Sequence, residues 1–460
     1  MKANLLPSLI SVATLTALLN LAANADAETP APVAAVAVDA SGAEPFAVIS
    51  NTANQVWSLE RSSNQRDWTP VTTLKIHNGQ ARHALQNTNL NAVEYLRAFY
   101  DPARQDNVHY VTNALLLPGV PFNYAAPALP ASFSVQPIVG QDNMPATNLT
   151  TDTGAQLGRV LFYDKRLSTN QSISCSSCHQ QSHGFSDGRQ FSVGFNGGLT
   201  GRNSMGLSNA RWYQRRSFFW DERATNLEAQ VLQPIQNAVE MGMDLTTLTN
   251  RLAAEPYYTN LFASTFGSPG ITADRISKSL AQFVRSIVST QSKYDQGVTN
   301  NFANFTQQEN QGRQIFNGQG GCAACHGTDN FVPGPALNNN GLEFPYVDLG
   351  VGGITGNPAD NGKFKVPSLR YIELTAPNKH DGRFTNLEQV VDFYNAGVVD
   401  NPNLSPPLRN PPPGPPTPRR LNLTQQQKDA LVAFLRTLTD PNLATEVKYS
   451  DPFNYEDGAN

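Results

Sequence analysis

Four shortages frame this sequence. Charge is sparse: Asp, Glu, Lys and Arg make up 15% of the residues, and 33 basic against 37 acidic side chains leave a net charge of -4. A phosphate-neutralising surface is not encoded, so no nucleic acid partner is expected. Beyond the first 27 residues no apolar run reaches the length of a membrane span, so none is expected once that segment is removed. Methionine occurs at Met1, Met144, Met205, Met241 and Met243 only, which excludes any role for a thioether later in the chain. Cysteine occurs four times and never alone, which excludes a dense disulfide scaffold.

All four cysteines lie in two copies of one pattern, Cys175-Ser176-Ser177-Cys178-His179 and Cys322-Ala323-Ala324-Cys325-His326. C-x-x-C-H is the attachment signature of c-type haem. The thiols add to the vinyl groups and the histidine takes one axial position on the iron. A zinc ribbon would bring its two knuckles within about 15–20 residues of each other, and a thioredoxin-like motif needs a βαβ setting. Neither fits, and two covalently bound haem c groups are expected.

Residues 1–27 read as a secretory signal. Lys2 gives a basic start, Leu5 to Ala23 is mostly apolar, and Ala25-Asp26-Ala27 is a small-x-small cleavage site. Export follows, to the periplasm or the cell surface, and c-type haem is itself attached outside the bacterial cytoplasm. Residues 28–117 divide into an Ala/Val/Pro-rich linker to about 45 and then short strand-like runs, among them Val56-Trp57-Ser58-Leu59, Val71-Thr72-Thr73-Leu74 and Val93 to Tyr100. They predict a small β-sandwich module, with His77, His83 and His109 as ordinary surface histidines. A Pro-rich linker is expected over 118–145, a first haem domain over 146–300 and a second over 301–460. The fold class is mainly α: two tandem cytochrome c-type domains behind a small β-sandwich.

The helical part repeats itself. Gly158-Arg159-Val160-Leu161-Phe162 precedes the first motif and Gly312-Arg313-Gln314-Ile315-Phe316 the second. Thr306 with Glu309 and Thr424 with Gln427 form capping-box patterns. Ile276 to Val288 and Leu431 to Leu438 carry apolar residues at helical spacing, and the Pro-dense stretch Pro406 to Pro418 predicts a surface loop. With no methionine after His326, the second haem's other axial candidates are Lys379, His380, Tyr371 and Tyr394. Tyr394 shares one face of a helix opened by Thr385 and Glu388 with Leu387, Val390 and Val391. That face points to the core, and spacing alone leaves ligation and plain packing equally open for it.

From about Thr153 to Thr439 the chain resembles the bacterial di-haem cytochrome c peroxidase family, including its MauG branch. The motifs that carry this are both C-x-x-C-H copies, Leu157 to Asp164, Gly201-Arg202-Asn203, Phe219-Trp220-Asp221-Glu222-Arg223-Ala224, Val366-Pro367-Ser368-Leu369-Arg370 and Leu374 to Gly382. The resemblance implies that Trp220 relays electrons between the haems and that Glu240 is the acid on the peroxide side of the first haem, with Pro234 lining the same pocket. It implies a calcium ion held by Asn203, Thr375 and Pro377, and a haem propionate paired with Arg370. Where the peroxidases proper place a histidine that closes the first haem, this chain has Phe195. Where they place a methionine on the second haem, it has Tyr394, the mark of the MauG branch.

The implied function is a peroxidase that reacts with hydrogen peroxide at an open N-terminal haem. Oxidising equivalents shared with a His326/Tyr394-ligated second haem would then oxidise a partner protein. MauG itself has a tryptophan exit two residues before the second motif, where this chain has Gly320. Two alternatives stand beside this reading: a cytochrome-c peroxidase that takes electrons from a small cytochrome c or cupredoxin, and a non-enzymatic electron carrier.

Overall fold

The computed structural model describes residues 35–39, 46–50, 56–62, 66, 69–75, 80–84, 95–100, 115–332 and 337–453. The signal segment, His77 and His109 lie outside them. The chain forms two compact units, one within residues 1–108 and one within 109–453.

The first unit is built from six strands. β1 (Ala35–Asp39), β2 (Phe46–Ser50) and β5 (Gln80–Ala84) make one antiparallel sheet in the order β1-β2-β5. β3 (Val56–Ser62), β4 (Thr69–Lys75) and β6 (Tyr95–Tyr100) make another in the order β4-β3-β6. Alternate residues point inward, as strand geometry requires. Ala47 and Ile49 of β2 are buried with Trp57 and Leu59 of β3 in one core, joined by Val36, Leu96 and Ala98. The segment 28–45, expected as a linker, thus contains β1. Its Ala-Val alternation is a strand pattern that the flanking Ala and Pro residues obscure.

The second unit is mainly helical. Its helices include α1 (Asp152–Tyr163), α2 (Leu227–Gln236), α3 (Leu245–Ala253), α4 (Pro256–Phe266), α5 (Ala273–Ser286), α6 (Gln307–Asn317), α7 (Leu387–Asp392) and α8 (Gln425–Arg436). The two expected capping boxes, Thr306/Glu309 on α6 and Thr424/Gln427 on α8, are both present. The cap of α7 is Asn386 with the Gln389 amide, one residue later than the Thr385 expected. A π-helical turn, Phe393–Gly397, continues α7 through Tyr394.

One helix pairing occurs twice, and it explains the sequence repeat. α1 packs on α5 and α6 packs on α8. At Gly158 a Cβ would lie 2.0 Å from the Ser279 carbonyl oxygen, and at Gly312 it would lie 1.9 Å from that of Ala430. Only glycine lets the two backbones cross so closely. Four residues on, Phe162 meets Phe283 at 5.2 Å between ring centres, and Phe316 meets Phe434 at 5.1 Å. Gly158→Ala should therefore destabilise the unit by about 2 kcal/mol, since the carbonyl can move aside only if the helices separate. A denaturant melt with unchanged slope and a lower midpoint is the expected result.

The Pro-rich stretch 118–145, expected as a linker, packs against the helical unit. Phe133 and Ile138 are buried in a cluster with Trp212 and Val288. The Tyr124 hydroxyl donates to the Lys448 carbonyl at 2.5 Å. Proline density removes regular helix but not apolar burial: Phe133 lies in a short 3-10 turn, Ala131–Ser134, and Ile138 caps another, Val139–Gln141. Among the described residues no helix is long and apolar enough to cross a membrane.

Candidate functional site

Each C-x-x-C-H motif forms a short helical turn, Cys175–Cys178 and Ala323–His326. None of the four cysteines is in a disulfide, so each motif keeps both sulfurs for attachment. Both histidines are held by the same device. His179 Nδ1 lies 2.9 Å from the Phe185 carbonyl oxygen, and His326 Nδ1 lies 2.9 Å from that of Phe331. Phe185 and Phe331 have φ of 59° and 55°, in a left-handed region that phenylalanine rarely occupies. With Nδ1 donating to a carbonyl, Nε2 is the nitrogen left for a metal. Burial lowers the His179 pKa, and lowers that of His326 to about 4, so both rings are neutral as ligation requires.

His179 borders a cavity of about 490 Å³ that Trp220, Pro234 and Glu240 also line. The volume lies in the range of cofactor sites, about 300–1,000 Å³. Neutral imidazoles with a fixed tautomer and paired free thiols suit a covalent c-type haem. Among the described residues no cluster of three or more His, Cys, Asp and Glu side chains could hold a metal ion, so the two thiol pairs are not joined as in a zinc ribbon.

Glu240 follows α2 in a turn that Asn237 shapes by accepting the Val239 and Glu240 amide protons. Its carbonyl accepts the Phe195 N–H at 2.9 Å. Gly194 makes that approach possible, because a Cβ there would sit 1.6 Å from the Val239 oxygen. The Phe195 ring rests on Gly242, where an added Cβ would lie 2.5 Å away, and it is not among the residues lining the cavity. Burial raises the Glu240 pKa, with Arg223 opposing. The half-buried Trp220 donates its indole N–H to the Asn203 carbonyl at 2.9 Å.

Asn203, Thr375, Pro377 and Trp220 share a second, small cavity of about 70 Å³. The Asn203 amide nitrogen donates to the carbonyls of Arg189 and Gln190, at 3.0 and 3.2 Å.

The four axial candidates of the second motif separate in space. Tyr371 is fully buried, and its hydroxyl accepts the Ala444 N–H at 2.8 Å. His380 stacks on Phe364 with ring centres 3.9 Å apart. Tyr394 packs on the same core cluster as Cys322 and Ala323 of the motif, and its hydroxyl lies 2.8 Å from Lys379 Nζ.

Arg370, expected to pair with a haem propionate, also has partners within the protein. Its guanidinium grips Asp295 through two bonds of 2.5 and 2.8 Å and also donates to the Asp329 carbonyl. The residue missed in the sequence is Lys365. It is buried, its N–H donates to the Trp220 carbonyl at 2.9 Å, and its ammonium sits 3.9 Å from the Tyr213 ring centre at the wall of the larger cavity. Burial brings its pKa down to about 8, with Glu222 opposing. Its position directly before Val366-Pro367-Ser368-Leu369-Arg370 was the available signal.

Residues 152–302 match the family model described as di-haem cytochrome c peroxidase. The methylamine utilization protein MauG of Methylorubrum extorquens is 35% identical over 64% of this chain and 80% of its own length. The cytochrome c551 peroxidase of Nitrosomonas europaea is 37% identical over 62% of this chain and 79% of its own. The crystal structure of a MauG-like protein associated with microbial copper homeostasis superposes with a TM-score of 0.60 at 34% identity, covering 70% of this chain and 99% of that one. Taken with the paired histidine devices and the cavity between His179 and Glu240, these likenesses establish that the chain belongs to the di-haem cytochrome c peroxidase/MauG family, enzymes that act on peroxide and carry two c-type haems.

Proposed function

We propose that this chain reacts with hydrogen peroxide beside His179 and uses the oxidising equivalents on a partner protein, in the manner of the MauG branch. Haem c attached through Cys175 and Cys178, with His179, and through Cys322 and Cys325, with His326, supplies the redox-active iron. The observation that carries the reading is that Glu240 lines the cavity of His179 while the Phe195 ring rests outside it on Gly242. No protein ligand then has to be withdrawn before peroxide enters. The Glu240 carboxylate takes a proton from one peroxide oxygen and returns it to the other, which promotes cleavage of the bond between them. Pro234 walls the same space, and Trp220 lines both cavities and couples the two halves.

Tyr394 is read as the second haem's other ligand. Asn203, Thr375 and Pro377 are read as the calcium site, through one side-chain oxygen and two main-chain carbonyls. A haem propionate is assigned to Arg370, which also holds Asp295, and Lys365 at the wall of the larger cavity is read as a second cation near it. The segment 1–27 is read as directing export.

A stopped-flow spectrum of the all-ferric protein with one equivalent of peroxide tests this. Immediate loss of the ferric bands without reductant is expected. No reaction until one haem is reduced would overturn the open-site reading. The second reading, turnover with a small cytochrome c or cupredoxin as donor, is favoured by Gly320 in place of MauG's exit tryptophan. Sustained peroxide consumption with such a donor would select it.

A further inference from the structure

Lys379 carries a cation to the ligand side of the second motif, and among the described residues no carboxylate pairs with it. Its ammonium lies 2.8 Å from the Tyr394 hydroxyl oxygen and 4.0 Å from the centre of that ring, with the Phe393 ring 5.0 Å away. Asp381, the nearest acid in the chain, is paired with Arg383. The Lys379 backbone has φ of 79°, a conformation that side chains other than glycine rarely adopt. Such strain persists only where the surroundings impose it. Here the Asn378–Phe384 bridge and the Gly382 N–H bond to the Lys379 carbonyl close a tight turn that aims the side chain at Tyr394.

We propose that Lys379 is a positioning residue for the second haem: its ammonium donates to the Tyr394 oxygen, weakens that oxygen's donation to iron and raises the haem's reduction potential. This rests on the reading of Tyr394 as a ligand. A phenolate oxygen has lone pairs for both a metal and a hydrogen-bond donor, and a bond from an ionised donor is among the stronger ones. Such outer contacts tune a metal through its ligand. Tyrosine alone would favour the oxidised iron strongly, and the lysine moderates this.

The test uses the full haem-loaded protein, with potentiometric titration of the second haem and resonance Raman detection of its Fe–O(phenolate) stretch. Lys379→Met keeps an unbranched apolar side chain, one atom shorter, to pack on Phe393 but removes the donor. Its reduction equilibrium constant should fall about tenfold, which is about 59 mV for one electron, and the Fe–O stretch should rise. Lys379→Arg, which restores a charged donor, should move both back towards the parent values. Parent-like potential and stretch in Lys379→Met would overturn the proposal. Tyr394→Phe separates the two ideas, since an unchanged second-haem spectrum there would sink the tyrosine ligation itself. Loss of the low-spin spectrum in Lys379→Met would instead make the lysine a ligand, which also overturns its role as donor.

Discussion

Replacing Glu240 by glutamine is expected to slow the reaction of the ferric protein with hydrogen peroxide by about 10²–10⁴-fold, the range that a positioned proton carrier contributes. Glutamine preserves the shape of the side chain and the turn that holds it, because the bonds that shape this turn run from the main chain of residues 239 and 240 to Asn237 and from Phe195 to the Glu240 carbonyl. What it removes is the capacity to take and return a proton. The pH dependence follows from the environment. Burial raises the Glu240 pKa above the ordinary 4.5, so the basic form is lost, and the rate falls, as pH drops through a value higher than a free glutamate would show. Glu240→Gln should abolish that acid limb as well as lower the plateau. A variant rate within twofold of the parent, with the acid limb intact, would remove Glu240 from the chemistry.

Replacing Arg370 by methionine is expected to cost about 3–5 kcal/mol, the penalty for leaving one member of a buried ion pair without its partner. The two side chains are 0% and 7% exposed, and among the described residues Asp295 keeps only Ser292 as a donor once the guanidinium is gone. Arg370 also donates to the Asp329 carbonyl, and Phe331 in the same short loop accepts the His326 Nδ1 proton. Loosening that loop should broaden the second haem's spectrum before the protein unfolds. Chemical denaturation measures the first effect. Changing Asp295 to leucine in the same chain should recover part of the loss, since removing both charges is cheaper than stranding one. Full additivity of the two changes would show that the pair is not the source of the cost.

Local sequence was sufficient wherever the chemistry sits in consecutive residues. The two C-x-x-C-H motifs, the capping boxes of α6 and α8 and the glycines of the repeated helix crossing are legible because each depends on its immediate neighbours or on a residue type that nothing can replace. The strand β1 and the packed stretch 118–145 were less legible. Ala-Val alternation and proline density say little about burial until the surfaces they cover are known. Pair identities in the site were hidden as well. That Arg370 would meet Asp295, that Lys365 would reach the larger cavity, and that Lys379 would meet Tyr394 depend on which side chains the fold brings within 3 or 4 Å of one another. The sequence alone thus determined the family and its two redox centres, because covalent attachment and helix crossing are written in short motifs. Only the tertiary structure decided how the charges around those centres are shared, because an ion finds its partner by distance in space and not by position along the chain.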